Sequence, residues 1–177
     1  MTAAGPDVSA RLAWPDDAAA IARVQASAWT EAYPDVAEVA ALDRGEVADR
    51  WETLISRPSE ARVRVLVALD RTAVRGYALV HPSYDPDSDQ VADGEIGELV
   101  VDPAHRRVGH GSRLLQAAVD TLAADGFRRI VWWVDTTDDV RRAFATDAGW
   151  AADGAHRELE SPSGARVKQV RLHTGVA

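Results

Sequence analysis

Two glutamates, Glu95 and Glu98, stand shortly before a pair of arginines, Arg106 and Arg107, that run into Gly109-His110-Gly111. Leucines at helical spacing follow, so the glycines sit at a helix start. There successive backbone N–H groups lack partners and the helix dipole is partly positive. Glycine lets the backbone approach a ligand closely, and the guanidinium groups add full charges beside those donors. The combination suits an anion, above all a phosphate. Two known phosphate loops are ruled out. The only lysine is Lys168, so no G-x-x-x-x-G-K-[ST] loop exists, and Leu114 replaces the third glycine of a dinucleotide fingerprint. On spacing alone, an ordinary capped helix with solvated arginines competes with the phosphate site. The glutamates offer different chemistry, since a buried carboxylate of raised pKa can take a proton from a nucleophile. There is no cysteine, which removes thiol nucleophiles, disulfides and thiolate metal sites. No metal is expected. The histidines show no ligand spacing, and the acidic run from Asp85 fails as a calcium loop, with Gln90 sixth and Ile96 twelfth.

These residues need a scaffold, and apolar periodicity supplies one. Strands are expected at Ser9–Trp14, Val63–Asp70, Val74–His81, Glu95–Asp102 and Arg129–Asp135, with two more around a turn at Ser161–Gly164. Helices are expected from Pro15 to about Tyr33, over Glu46–Ile55, after Gly109, and from Asp138 to a stop at Gly149. The segment Pro82–Gly94 reads as a flexible acidic loop. The fold class is therefore α/β (α+β), a mixed central sheet of about seven strands flanked by about four helices. Residues 1–7 are expected to be a mobile tail and residues 8–177 a single domain. Strand alternation places Glu95, Gly97, Leu99 and Val101 on one face, with Ile96, Glu98 and Val100 on the other.

Formal charge is −8, which argues against a nucleic-acid partner. No apolar run is long enough for a membrane span, and the N-terminal residues lack the pattern of a secretory signal. A cytoplasmic protein from a GC-rich bacterium is the expectation.

The run EIGELVVDPAHRRVGHGSRLL resembles the signature of the GNAT superfamily of N-acetyltransferases, in which a strand ending in V-D-P leads to R/Q-x-x-G-x-G/A and a helix. Arg106 to Gly111 fill that motif without a gap, and the element order is similar along nearly the whole chain. The resemblance implies an enzyme that transfers acetyl from acetyl-CoA to a primary amine, of a small molecule or a protein N-terminus, by direct attack in a ternary complex. It implies that Arg106, Arg107, Val108, Gly109, His110, Gly111 and Ser112 surround the pyrophosphate. Leu99, Val100 and Val101 would meet the pantetheine arm and thioester carbonyl. Many relatives form dimers, so a homodimer is one expected assembly.

For the proton, Glu95 is the first candidate base, Glu98 the second, and solvation of both the third reading. The family's last helix often carries an asparagine and a tyrosine where this sequence has Asp138 and Ala145. Asp138 would touch the cofactor arm or cap the helix, and Ala145 has no proton for the leaving thiolate. Tyr84 is a weak candidate acid. Trp29, Tyr33, Tyr77 and Tyr84 are expected around the acceptor. A catalytically weak acyl-CoA-binding regulatory module is the alternative reading.

Overall fold

The computed structural model describes residues 7–176; the expected tail, apart from Asp7, lies outside them. Seven strands form one sheet: β1 (Val8–Leu12), β2 (Arg64–Asp70), β3 (Ala73–Pro82), β4 (Asp93–Val101), β5 (Arg129–Asp135), β6 (Ala151–Glu160) and β7 (Arg166–Gly175). Their spatial order is β1-β2-β3-β4-β5-β7-β6. Every neighbouring pair is antiparallel except β4–β5, which is parallel. The parallel step needs a crossover, and α4 (His110–Ala124) provides it.

Each face of the sheet carries its own apolar core. Leu66, Ile96, Leu99, Leu114, Ile130, Trp132 and Trp150 belong to one, beneath α4 and α5 (Asp139–Asp147). Ile21, Val24, Val47, Trp51, Val67, Tyr77 and Val100 belong to the other, beneath α1 (Ala18–Ala32) and α3 (Arg44–Ser56). Burial on both faces explains the unbroken apolar run of β2. Each fully buried large side chain contributes roughly 1.5–3 kcal/mol.

Local chemistry sets the ends of α1. A short 3-10 turn, Pro15–Asp17, precedes it, and the Asp17 carboxylate accepts the Trp14 N–H at 2.7 Å and pairs with Arg11. Pro34 follows its end. Among the described residues five α-helices are found where four were expected. The additional one is α2 (Ala37–Ala40), a single turn. Its Glu38 carboxylate accepts hydrogen bonds from the backbone N–H and hydroxyl of Ser163, at the tip of the β6–β7 hairpin. Among the described residues, no helix is long and apolar enough to cross a membrane.

Two irregularities in β4 matter for the site. Its pairing with β5 covers only Asp93–Ile96 against Arg129–Trp132, after which the strands diverge. Its pairing with β3 shifts at Gly97: Val80 faces Ile96, but Leu79 faces Glu98. Gly97 is the extra residue of a β-bulge.

Candidate active site

The divergence of β4 from β5 leaves one edge of β4 open. The Asp102 N–H bonds to the Arg75 carbonyl on the β3 side. Strand alternation then aims the main-chain groups of Val100 at β3 and the N–H groups of Leu99 and Val101 into the split. Leu99 and Val101 are thus placed to offer main-chain donors to the split. Val100 is not: its main chain is committed to β3, and its side chain is buried under α1.

At the end of the split the chain makes the glycine turn. Arg107 (φ 61°) and Gly109 (φ 98°) are both left-handed, an arrangement that turns successive N–H groups toward a common point. The Gly109 carbonyl accepts from Arg113 N, closing the first turn of α4. The N–H groups of His110, Gly111 and Ser112 have no intrahelical partner at this end. A side chain at 109 would meet nothing within 4 Å, and one at 111 would make only ordinary contacts with Phe144 and Val101. The turn is open and fits a pyrophosphate. Arg107 and Val108 are exposed beside it, whereas Arg106 pairs with Glu31 on α1. His110 points inward, 2% exposed, and supports the turn from beneath; burial lowers its pKa.

The bulge corrects one expectation. Alternation alone separates Glu95 from Glu98, but the extra residue at Gly97 restores both to the α1 face. Ile96 and Leu99, three apart, share the α4 core. Glu95 is 8% exposed and, among the described residues, its carboxylate accepts only the Ser83 hydroxyl, at 3.2 Å. Burial is the main cause raising its pKa, with Asp85 adding to it, while His81 works in the opposite direction. One oxygen of Glu98 accepts both the Tyr77 hydroxyl, at 2.7 Å, and Trp29 Nε1, at 3.0 Å. Burial also raises the Glu98 pKa. Glu95 is the less encumbered of the two carboxylates.

His81 was not anticipated from sequence. It lies opposite Glu95 in the β3–β4 register, and a side chain at position 97 would collide with its Nε2. Its Nδ1 is 2.7 Å from the Pro82 carbonyl. A carbonyl only accepts, so in the neutral ring Nδ1 holds the proton and Nε2 is left as an acceptor above the bulge. The signal was the glycine inside a strand, which marks a bulge or a close approach.

On the same face, Trp133, Asp135, Gln169 and Arg157 extend the floor beyond the split, joined by their registers across β5, β7 and β6. Tyr33 reaches it from the end of α1, its hydroxyl donating to Asp135 at 2.5 Å; burial raises the Tyr33 pKa. Trp29 touches the site through Glu98. Tyr77 is fully buried and so supports Glu98 rather than lining a pocket. Tyr84 is 53% exposed and stacks on His81, with centroids 5.2 Å apart. Asp138 caps α5, accepting the Arg141 N–H at 2.9 Å. Ala145 is wholly buried in the core.

The acidic loop is not loose. Arg171, 6% exposed at its side chain, binds Asp87 at 2.6 Å, Asp153 at 2.7 Å and Asp85 at 3.0 Å. Trp133 Nε1 donates to Asp85 at 3.0 Å. The loop is fastened to β5 and β7 as a fixed wall.

Comparison with known proteins accords with this geometry. The chain is similar to a mycothiol acetyltransferase of Kineococcus radiotolerans, 39% identical over 94 residues; the matched stretch is 53% of this chain and 29% of that protein. A solved PaiA N-acetyltransferase of Thermoplasma acidophilum, in complex with coenzyme A, superposes with a TM-score of 0.74 at 14% identity, covering 96% of this chain and 99% of that one. A ribosomal-protein-alanine N-acetyltransferase of Brucella melitensis gives 0.74 at 17% identity, covering 94% and 99%. Residues 19–150 match the family described as Acetyltransferase (GNAT) family, and with its sheet split beside a glycine-turned helix start, the chain belongs to that family.

Proposed function

We propose that the protein transfers the acetyl group of acetyl-CoA to a primary amine by direct attack within a ternary complex. The observation that carries this is the open turn at Arg107–Ser112, continuous with the free N–H groups of Leu99 and Val101. When bound, acetyl-CoA supplies the acetyl group as a thioester. The N–H groups at the start of α4, with Arg107, hold its pyrophosphate. The Leu99 and Val101 N–H groups orient the arm and its carbonyl, where fixed donors stabilise developing negative charge. Alignment of the two reactants contributes most of the acceleration.

Glu95 takes the proton that the amine nitrogen loses as the new C–N bond forms, and His81 Nε2 stands ready beside it to accept or relay that proton. No side chain is assigned to protonate the departing sulfur. Ala145 fills the position of the usual tyrosine, and a thiolate is a good enough leaving group to depart without a proton donor. Ala145 is also what favours the second reading, a regulatory module that binds acyl-CoA without efficient turnover.

Calorimetric titration with acetyl-CoA, followed by thiol release across an amine panel, tests both readings. Binding with thiol release is expected. Binding without release from any amine would favour the module, and absence of binding would remove the phosphate site.

A further inference from the structure

Across the floor from Glu95 lies a half-buried guanidinium without a counter-ion. Arg157 begins on β6, the edge strand, yet its head group lies 4.3 Å from the ring centroid of Trp133 on β5. With β7 between those strands, the arginine and indole side chains lean toward each other and meet above β7, which directs the guanidinium back toward the split. It is held in place there. Its Nε donates to Gln169 Oε1 at 2.8 Å, Gln169 Nε2 donates to Asp135 at 2.8 Å, and Asp135 accepts the Tyr33 hydroxyl.

The carboxylates that act on this guanidinium are Glu95, Asp85 and Asp135. Asp85 is committed to Arg171 and Trp133, and Asp135 to Tyr33 and Gln169. Among the described residues none forms an ion pair with Arg157. Partial burial of an unpaired charge is costly unless a ligand completes the pair. With Nε occupied, the two Nη groups remain, and their fork matches a carboxylate.

We infer that Arg157 receives a carboxylate of the acceptor, so that the acceptor is a molecule of the amino-acid class, its amine toward Glu95 and His81 and its carboxylate on the Arg157 fork. This rests on the acetyltransferase reading and adds the acceptor's class to it. A protein N-terminus bears no carboxylate beside its amine and leaves Arg157 unpaired. Arg157 and Gln169 lie beyond residues 19–150, the part shared with the family, as expected of residues that select this chain's own substrate.

The test compares amino acids with small, aliphatic and aromatic side chains against their carboxamides, their decarboxylated amines and short peptides. Two readouts are used: thiol release with acetyl-CoA, and calorimetric binding to protein saturated with coenzyme A, which needs no turnover. The best free amino acid is expected to show KM and Kd at least about tenfold below its carboxamide and decarboxylated partners. In Arg157→Gln that preference should shrink to about twofold or less, with Arg157→Lys recovering part of it and circular dichroism unchanged. A wild-type preference for carboxylate-free amines or peptides, or a preference that survives Arg157→Gln, would overturn the assignment to Arg157 while leaving the acetyltransferase reading intact. Failure to bind acetyl-CoA, with no turnover of any amine, would overturn both.

Discussion

At position 97 even a methyl group would collide with His81 Nε2. Gly97→Ala must therefore push the imidazole off the bulge or spread β3 from β4, and overpacking of this kind costs roughly 1–3 kcal/mol. We expect a loss of that size in urea unfolding, together with a fall in turnover. Glu95 offers a second measurement at this scale. Burial raises its pKa, so protonated Glu95 is favoured in the folded state. That contribution to stability is fully present below the ordinary carboxylate value of 4.5 and is lost as pH rises through the elevated one. Glu95→Gln escapes that loss and is expected to gain thermal stability relative to wild type between pH 4 and pH 8, while losing the acid limb of the kcat/KM profile. The type and order of these residues were legible in the sequence, but their directions were not. Strict alternation separated Glu95 from Glu98, and one inserted residue reverses that. The glycine was the only local sign of it.

Among elements, the start of α4 was the most readable, because its chemistry is local: two glycines, two arginines and an apolar stripe within twenty residues. Gly109 holds φ 98°, a conformation that costs other residues roughly 1–2 kcal/mol. Gly109→Ala is expected to lose about that much stability. Arg107→Glu, in an exposed side chain, should leave stability unchanged and weaken acetyl-CoA binding by tenfold or more in calorimetry. The acidic loop was misread as flexible because its anchor, Arg171, is more than eighty residues away in sequence. The Arg171 hydrogen bond holds the Asp87 pKa down to about 2 from the ordinary 3.8. A depressed carboxylate stabilises the fold above its ordinary value and ceases to do so as pH falls through the depressed one. The side-chain carboxyl carbon resonance of Asp87 itself should hold steady from pH 7 to about 4 and shift between there and about 2. Arg171→Met would strand partly buried carboxylates, and a loss of about 3 kcal/mol is expected in denaturant unfolding.

On the scale of the whole molecule, the order of strands and helices followed from apolar periodicity, and α2 alone was missed, being one turn with no amphipathic pattern to reveal it. The floor proposed to receive the acceptor was the least legible part. Trp133, Asp135, Gln169 and Arg157 come from three strands and meet only through sheet register, so no stretch of sequence announces them. The seam between β4 and β5 divides the sheet into β1–β4 and β5–β7, each a continuous stretch of chain. That division has a consequence in time. During synthesis the first leaf and α4, with the turn suited to phosphate, are complete by residue 124, while the strands carrying Trp133, Arg157 and Arg171 have yet to be made. At 5–20 residues per second the fifty or so residues from there to the end of β7 take roughly 3–10 s. For those seconds the nascent chain contains the turn proposed to hold a donor and lacks the strands proposed to receive an acceptor.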